Sequence, residues 1–168
     1  MPARGRALRH WLLKSEPDVF SFEDLMSAPK RTTSWGGVRN YQARNLLRDE
    51  LAQGDVVLFY HSSCEPSGVA GVARVVRPGY PDPTQFDPRD PGHDPASERT
   101  VPRWFAVDLQ ALGTLPRFVP LSELRAQPHL ADMVLLRRGS RLSVQPVSAA
   151  EARIVLSLGG WKGADGAG

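Results

Sequence analysis

Two stretches near the middle of the chain leave little freedom in what it can fold into. "GDVVLFYHS" (54–62) is dense in β-branched and aromatic residues and reads as a buried strand. "GVAGVARVVRPGY" (68–80) repeats that character, with small residues at its start. The segment between them, "SSCEPS", is long for a tight turn, yet the two runs are expected to pair as a hairpin. "HWLLK" (10–14) adds a short buried strand that stops at Pro17, and "RWFAVDLQAL" (103–112) adds another.

Helices punctuate these strands. "SFEDLMSA" opens with Ser21 as a cap and Asp24 three residues on, a capping box. "NYQARNLLRDEL" starts at Asn40, a capping residue, and turns Leu46, Leu47 and Leu51 toward a core. "LSELRAQ" is a short helix. "SAAEARIVLSLGG" repeats the box with Ser148 and Glu151, and Gly159 ends it. The order is strand, helices, several mostly antiparallel strands, helix. That predicts an α+β fold, a small mixed sheet or barrel with helices around it. At 168 residues the chain fits one domain, spanning 10–158, with a flexible basic arm at 1–9 and a Gly/Ala-rich tail at 159–168. The apolar patch after the basic start is broken by Lys14 and is too short for a signal peptide or membrane span.

Cys64 is alone, so neither a disulfide framework nor a cysteine zinc site is expected, and the reducing cytoplasm is the natural compartment. The net charge of +3 permits a polyanionic partner without requiring one. "WGGVRN" matches neither a phosphate loop nor a dinucleotide fingerprint. Asp82, Asp87, Asp90 and Asp94 cluster in "PDPTQFDPRDPGHDP" (81–95), but not with the spacing of a calcium loop, and the segment reads as solvated turns. His10, His61, His93 and His129 are scattered. Cys64 and His61 lack a third partner for nucleophilic catalysis. No metal or cofactor is expected.

Two stretches carry the candidate chemistry. "KSEP" (14–17) sets an ammonium, a hydroxyl and a carboxylate at a strand end: a solvated rim, the floor of a polar pocket, or a Lys/Glu hydrolytic pair. "TTSWGGVRNYQARN" (32–45) places one large ring beside two glycines and a run of hydrogen-bond donors. Trp11 lies in an apolar run and is expected in the core. Trp161 is expected at the periphery, and Trp104 suits either the core or a cage wall. Trp35 has Ser, Thr and Gly neighbours and is expected on a binding surface, where a ring can stack on a base.

Several segments together resemble the EVE domain family: "HWLLKSEPDVFSFEDL", "TTSWGGVRNYQARNLLRD", "DVVLFYHSSCEPSGVAGVARVV", "YPDPTQFDP" and "LSVQPVS". The resemblance covers about His10 to Leu158. It implies a PUA-like fold, a compact mixed β-barrel flanked by helices, related to the YTH domains that read methylated adenine in RNA. It implies a non-catalytic reader of nucleic acid, with a pocket for a flipped, modified base: a modified cytosine in DNA, or a base in RNA. By position the pocket would draw on Lys14, Ser15, Glu16, Trp35, Gly36, Val38, Asn40, Tyr60, His61, Ser62, Ser143, Gln145 and Pro146. Arg39 and Arg44 would contact phosphate. A monomer bound to nucleic acid, away from membranes, is the expected state. An alternative comes from the wider superfamily, whose ASCH-type amidohydrolases act on acylated cytidine through Lys and Glu. Lys14 and Glu16 invite that comparison.

Overall fold

The computed structural model describes residues 7–163. They form six strands and four α-helices, in the order β1 (His10–Ser15), α1 (Phe22–Ser27), β2 (Thr32–Trp35), α2 (Tyr41–Asp49), β3 (Val56–His61), β4 (Gly68–Pro81), β5 (Phe105–Pro120), α3 (Leu121–Arg125), β6 (Val144–Val147) and α4 (Ala149–Leu158). The α+β class is as expected from the sequence. All six strands belong to one mixed sheet, ordered β2-β5-β4-β3-β1-β6. β1 runs parallel to β3, and the other neighbours are antiparallel. The predicted barrel is corrected: β2 and β6 stay at opposite edges, so the ring does not close.

The expected hairpin is the centre of this sheet. β3 pairs with β4 from Val56↔Arg74 to His61↔Gly68. β4 continues onto the long β5, and that ladder shifts register four times, between Val69/Gly71, Val72/Ala73, Val75/Arg77 and Arg77/Tyr80. Each shift bends the strand and adds twist. The sheet therefore curls strongly without closing.

Alternation along β1 and β3 separates two cores. Trp11 and Leu13 of β1 join Val57 and Phe59 of β3 on one face, under α1 and α2. Leu12, Val56, Leu58 and Tyr60 face the other side, under α4. Trp11 is fully buried, and its indole Nε1–H donates to Asp55 Oδ2 at 2.9 Å. Both capping boxes form as read from the sequence, Ser21 with Asp24 and Ser148 with Glu151. Leu47 and Leu51 are buried under α2, and Leu46 is partly buried.

Three expectations about the periphery change. Arg9, placed in the flexible arm, is docked: its N–H donates to Asp55 Oδ1 at 3.2 Å and its guanidinium lies over Trp11. Residues 1–6 of that arm and 164–168 of the tail lie outside the described residues. Trp161 packs on the second core, with its ring so close to Gly113 that a Cβ there would meet it at 3.0 Å. The polar run Thr32–Trp35 is an edge strand rather than a loop, paired with β5 from Thr32↔Gln110 to Trp35↔Val107.

Gly71 tests how tightly α1 seats on the sheet. A Cβ at this position would stand 2.4 Å from the Phe22 ring, and Phe22 is itself locked edge-on to Phe59. Gly71→Ala is expected to destabilise the fold by about 1–3 kcal/mol, the usual range for overpacking. Urea denaturation checks this. An unchanged midpoint would mean that Phe22 shifts freely and that α1 is loosely held.

Candidate functional site

The end of β1 and the strand β2 are four places apart in the sheet order, about 19 Å if the sheet were flat. The curl brings them together. Lys14, Ser15 and Glu16 from one side and Thr33, Ser34, Trp35 and Gly36 from the other line a single open cavity of about 450 Å³, with the exposed Val19 and the half-buried Phe20 at its border. That volume lies within the range of small-ligand sites, about 300–1,000 Å³.

The cavity has a flat apolar side and a polar rim. The half-buried Trp35 ring packs on the first core from edge strand β2. Ser15 Oγ donates its proton to Phe20 O at 2.6 Å, which leaves its lone pairs facing outward as acceptors. Ser34 is held on the other face of β2, opposite Asp108 and away from the Trp35 ring. Tyr80 Oη donates to Asp108 Oδ1 at 2.5 Å, and Ser34 Oγ lies 2.7 Å from Tyr80 Oη. Burial first, and then the hydrogen bond to the Asp108 carboxylate, push the Tyr80 pKa up, so the phenol keeps its proton. With that proton committed to Asp108, Ser34 is the donor to Tyr80, and the contact ties β2 to the end of β4. Lys14 supplies the opposite polarity: burial lowers its pKa, and its ammonium has no hydrogen-bond or ion-pair partner among the described residues.

Behind the cavity stands a carboxylate that the sequence reading left in a solvated loop. Asp82 is 1% exposed. Its Oδ2 accepts the Gly37 N–H at 2.7 Å and Arg39 Nη1 at 3.1 Å. Its Oδ1 accepts the Thr84 N–H at 2.9 Å and the Thr84 hydroxyl at 2.7 Å. Burial alone would raise its pKa. The Gly37 amide, the Thr84 hydroxyl and amide, and Arg39 together hold it below the ordinary carboxylate value. Gly37 has φ +75°, in the left-handed region. Gly36 is needed for space: a Cβ there would stand 2.8 Å from Asp82 Oδ2. The two glycines thus let the chain after Trp35 wrap onto a buried acid.

The residues named from sequence separate on this frame. Lys14, Ser15, Glu16, Trp35 and Gly36 meet in the cavity. Ser62 and Ser143 flank it through backbone: the Ser62 N–H donates to Ser15 O at 3.0 Å, and the Lys14 N–H donates to Ser143 O at 2.9 Å. His61 does not line the cavity; its Nε2 accepts the first amide of α1, Phe22 N–H, at 3.0 Å. The others lie elsewhere. Val38 is buried in the first core and Tyr60 in the second. Gln145 is fully buried, donating to Leu142 O at 2.7 Å, with its Oε1 unpaired. Pro146 lies on an exposed face near α4. Asn40 caps α2 by accepting the Ala43 N–H at 2.9 Å. Val19, Phe20, Thr33 and Ser34 were missed, and no motif in the sequence marked them.

The two arginines expected at phosphate are engaged within the protein. All five Arg39 donors are used: Nε and Nη2 to Gly92 O (3.2 and 2.7 Å), Nη2 also to Thr84 Oγ1 (3.1 Å), Nη1 to Val38 O (3.0 Å) and to Asp82 (3.1 Å). Arg44 lies over the Tyr41 ring and donates to Asn45 Oδ1 and Arg103 O at 2.8 and 2.7 Å. Trp104, left open between core and cage, is buried away from the cavity. It stacks on Tyr41 at 4.8 Å and donates its indole N–H to Asp94 Oδ2 at 2.7 Å.

With this geometry established, comparison with known proteins gives a consistent picture. The model of the EVE domain matches residues 9–158. Human thymocyte nuclear protein 1 is 46% identical over 166 residues, covering 89% of this chain and 73% of that protein. A crystal structure from Pseudomonas putida is 44% identical with a TM-score of 0.85, covering 89% of this chain and 99% of that one. A crystal structure of the human THYN1 protein in complex with 5-methylcytosine-containing DNA is 43% identical with a TM-score of 0.85, covering 92% and 99%. No helix among the described residues is long and apolar enough to cross a membrane.

Two measurements follow from the site's supports. Asp82→Asn is expected to lower stability by about 2–3 kcal/mol. That is less than the roughly 3–5 kcal/mol for breaking a fully buried pair, because the Arg39 side chain keeps 25% exposure. Chemical denaturation reads the loss, and no loss would show that the Gly37 and Thr84 amides need no charge. His61 gives a pH signature. Burial lowers its pKa against the opposing pull of Glu23, so its contribution is full above the unfolded value of about 6.5 and is lost as pH falls through the lowered folded value. Melting temperature should fall between about pH 7 and 5, and His61→Gln should flatten that fall. His10, also shifted down by burial, leaves a residual slope. Equal slopes in both proteins would place the sensitivity elsewhere.

Proposed function

Because this chain belongs to the EVE domain family, we propose that it is a non-catalytic reader that takes one flipped, modified cytosine of DNA into the cavity between β1 and β2. The observation that carries this is the cavity itself, with an aromatic face and a preset polar rim, in a chain that matches the 5-methylcytosine DNA-bound human protein over 92% of its length. A flipped base is stacked on a ring and read along its polar edge. Trp35 supplies the ring. Ser15 presents an acceptor suited to an exocyclic amine, and Lys14 presents a donor suited to a ring carbonyl or nitrogen. Glu16 stands exposed at the mouth. Gly36 admits close approach of the backbone.

Lys14 and Glu16 also carry the hydrolase alternative, so binding and turnover are tested together. Oligonucleotides with cytosine or 5-methylcytosine are titrated at fixed salt, and the products are examined after long incubation. Selective stoichiometric binding without product is expected. Release of a hydrolysed nucleoside or base, abolished by Lys14→Ala or Glu16→Gln, would replace the reader with an enzyme.

Trp35 decides the mode of binding. Base–aromatic stacking is worth about 1–3 kcal/mol, roughly 5- to 150-fold in affinity. Trp35→Ala should lose most of the preference for the modified oligonucleotide, and Trp35→Phe should keep part of it. Because Trp35 is half-buried on an edge strand, its loss should lower the melting temperature less than Trp11→Ala, which removes a fully buried ring at a cost of about 3–5 kcal/mol. Unchanged selectivity in folded Trp35→Ala would exclude stacking on this ring.

A further inference from the structure

Of the arginines beside the cavity in sequence, Arg39 has all its donors held by internal partners and Arg44 has two of them held, which leaves the grip on a polyanion to be sought more widely. Three other arginines stand differently. Arg137, Arg138 and Arg141 are all exposed on the turn between the 3₁₀ segment Val134–Leu136 and β6. The turn is built by Ser140 N–H donating to Arg137 O at 3.2 Å and by Gly139 at φ +76°. The only bond to a guanidinium there is a long one, Arg137 Nη2 to Asp132 O at 3.4 Å; among the described residues Arg138 and Arg141 have no side-chain partner. Together with Asn40, Gln42 and Ser140 the three arginines line a concavity of about 400 Å³ whose lining includes no carboxylate.

Its position joins it to the base cavity through the chain. Ser143, two residues beyond Arg141, accepts the Lys14 N–H at 2.9 Å, so the turn reaches the β1 wall within about 7 Å of backbone. Asn40, on the other border of the concavity, lies five residues beyond Trp35 in the chain and caps α2. Arginine forks match phosphate oxygens, and Asn, Gln and Ser add neutral donors of the kind that position a nucleic-acid backbone.

We propose that the turn carrying Arg137, Arg138 and Arg141 is the phosphate platform for the strand whose base enters the cavity. The proposal rests on the reader function above. The platform holds backbone and carries no base preference of its own. The cavity supplies the preference.

The test compares wild type, Arg138→Gln/Arg141→Gln and Arg137→Gln/Arg138→Gln/Arg141→Gln on cytosine and 5-methylcytosine duplexes across a salt series, with Trp35→Ala alongside. The substituted side chains are exposed, so thermal melts should match wild type. The triple variant should lose about tenfold or more in affinity for both duplexes at low salt, with the ratio between them kept. Its log–log salt slope should shrink by about 0.9 for each phosphate contact removed, about 2 to 3 in all, with the double variant in between. Trp35→Ala should do the reverse, keeping the slope and losing the ratio. If wild type is selective and the triple variant keeps its affinity and slope, the platform is overturned and the reader stands. If wild type binds neither duplex, the reader fails and the platform with it. A triple variant that loses only the modified-base preference would move these arginines into base reading and also overturn the proposal.

Discussion

A buried carboxylate binds together parts of the chain that are remote in sequence. Asp82 receives the Gly37 amide from the turn after β2, Arg39 from the residue before the α2 cap, and Thr84 from its own loop. An ionised acid at this depth is tolerable only because every approach to it is a donor. The same acid explains the glycine pair. Gly36 must lack a Cβ to pass it, and Gly37 must turn left-handed to aim its N–H at it. Trp35, immediately before them, is thereby set at the cavity wall. The aromatic face of the site is positioned by an electrostatic contact on the far side of the backbone.

The other requirement is a sheet that curls and then stops short of closing. A closed barrel would pair its edge strands and fill its interior with side chains. Here β2 and β6 remain edges, and the bulged β4–β5 ladder swings β2 round toward the end of β1. The space between those unpaired segments is the cavity. Its walls are a polar edge strand and a strand end, which explains why Thr33, Ser34, Ser15 and Lys14 line it beside the apolar Val19, Phe20 and Trp35. The cavity is a product of incomplete closure.

What the sequence disclosed divides along the range of the interactions. Capping boxes at Ser21/Asp24 and Ser148/Glu151, the Asn40 cap and the β3–β4 hairpin were legible because their partners are a few residues away or carry a strong local pattern. Trp11 was legible because its neighbours are apolar. β2 was not, since an edge strand with "TTSW" lacks the hydrophobic density of a central one. Val38 and Tyr60 were named as pocket residues by position in the family resemblance, but packing buries Val38 in the first core, and strand alternation turns Tyr60 into the second. Arg39 looked free because its partners, Asp82, Thr84 and Gly92, lie more than forty residues away. The Asp/Pro-rich loop looked solvated for the same reason. Yet Gln85 is fully buried, its Nε2 donating to Trp104 O at 2.8 Å, and the Trp104 indole is tied to Asp94.

The polarity of the cavity is also decided from behind. Ser15 is a hydroxyl and in water would donate or accept with equal ease. Its proton is drawn away by the Phe20 carbonyl. It is left as an acceptor before any ligand arrives. Lys14, a donor without acceptor capacity, stands opposite with its ammonium partly stripped of water. A ligand edge that combines an amine with an acceptor meets groups already oriented, with little reorganisation left to oppose binding. An edge of the reverse pattern meets lone pair against lone pair, and each unmatched buried group carries its full desolvation penalty. The polarity of the cavity rim is therefore set by proton positions one bond deeper than the residues that line it.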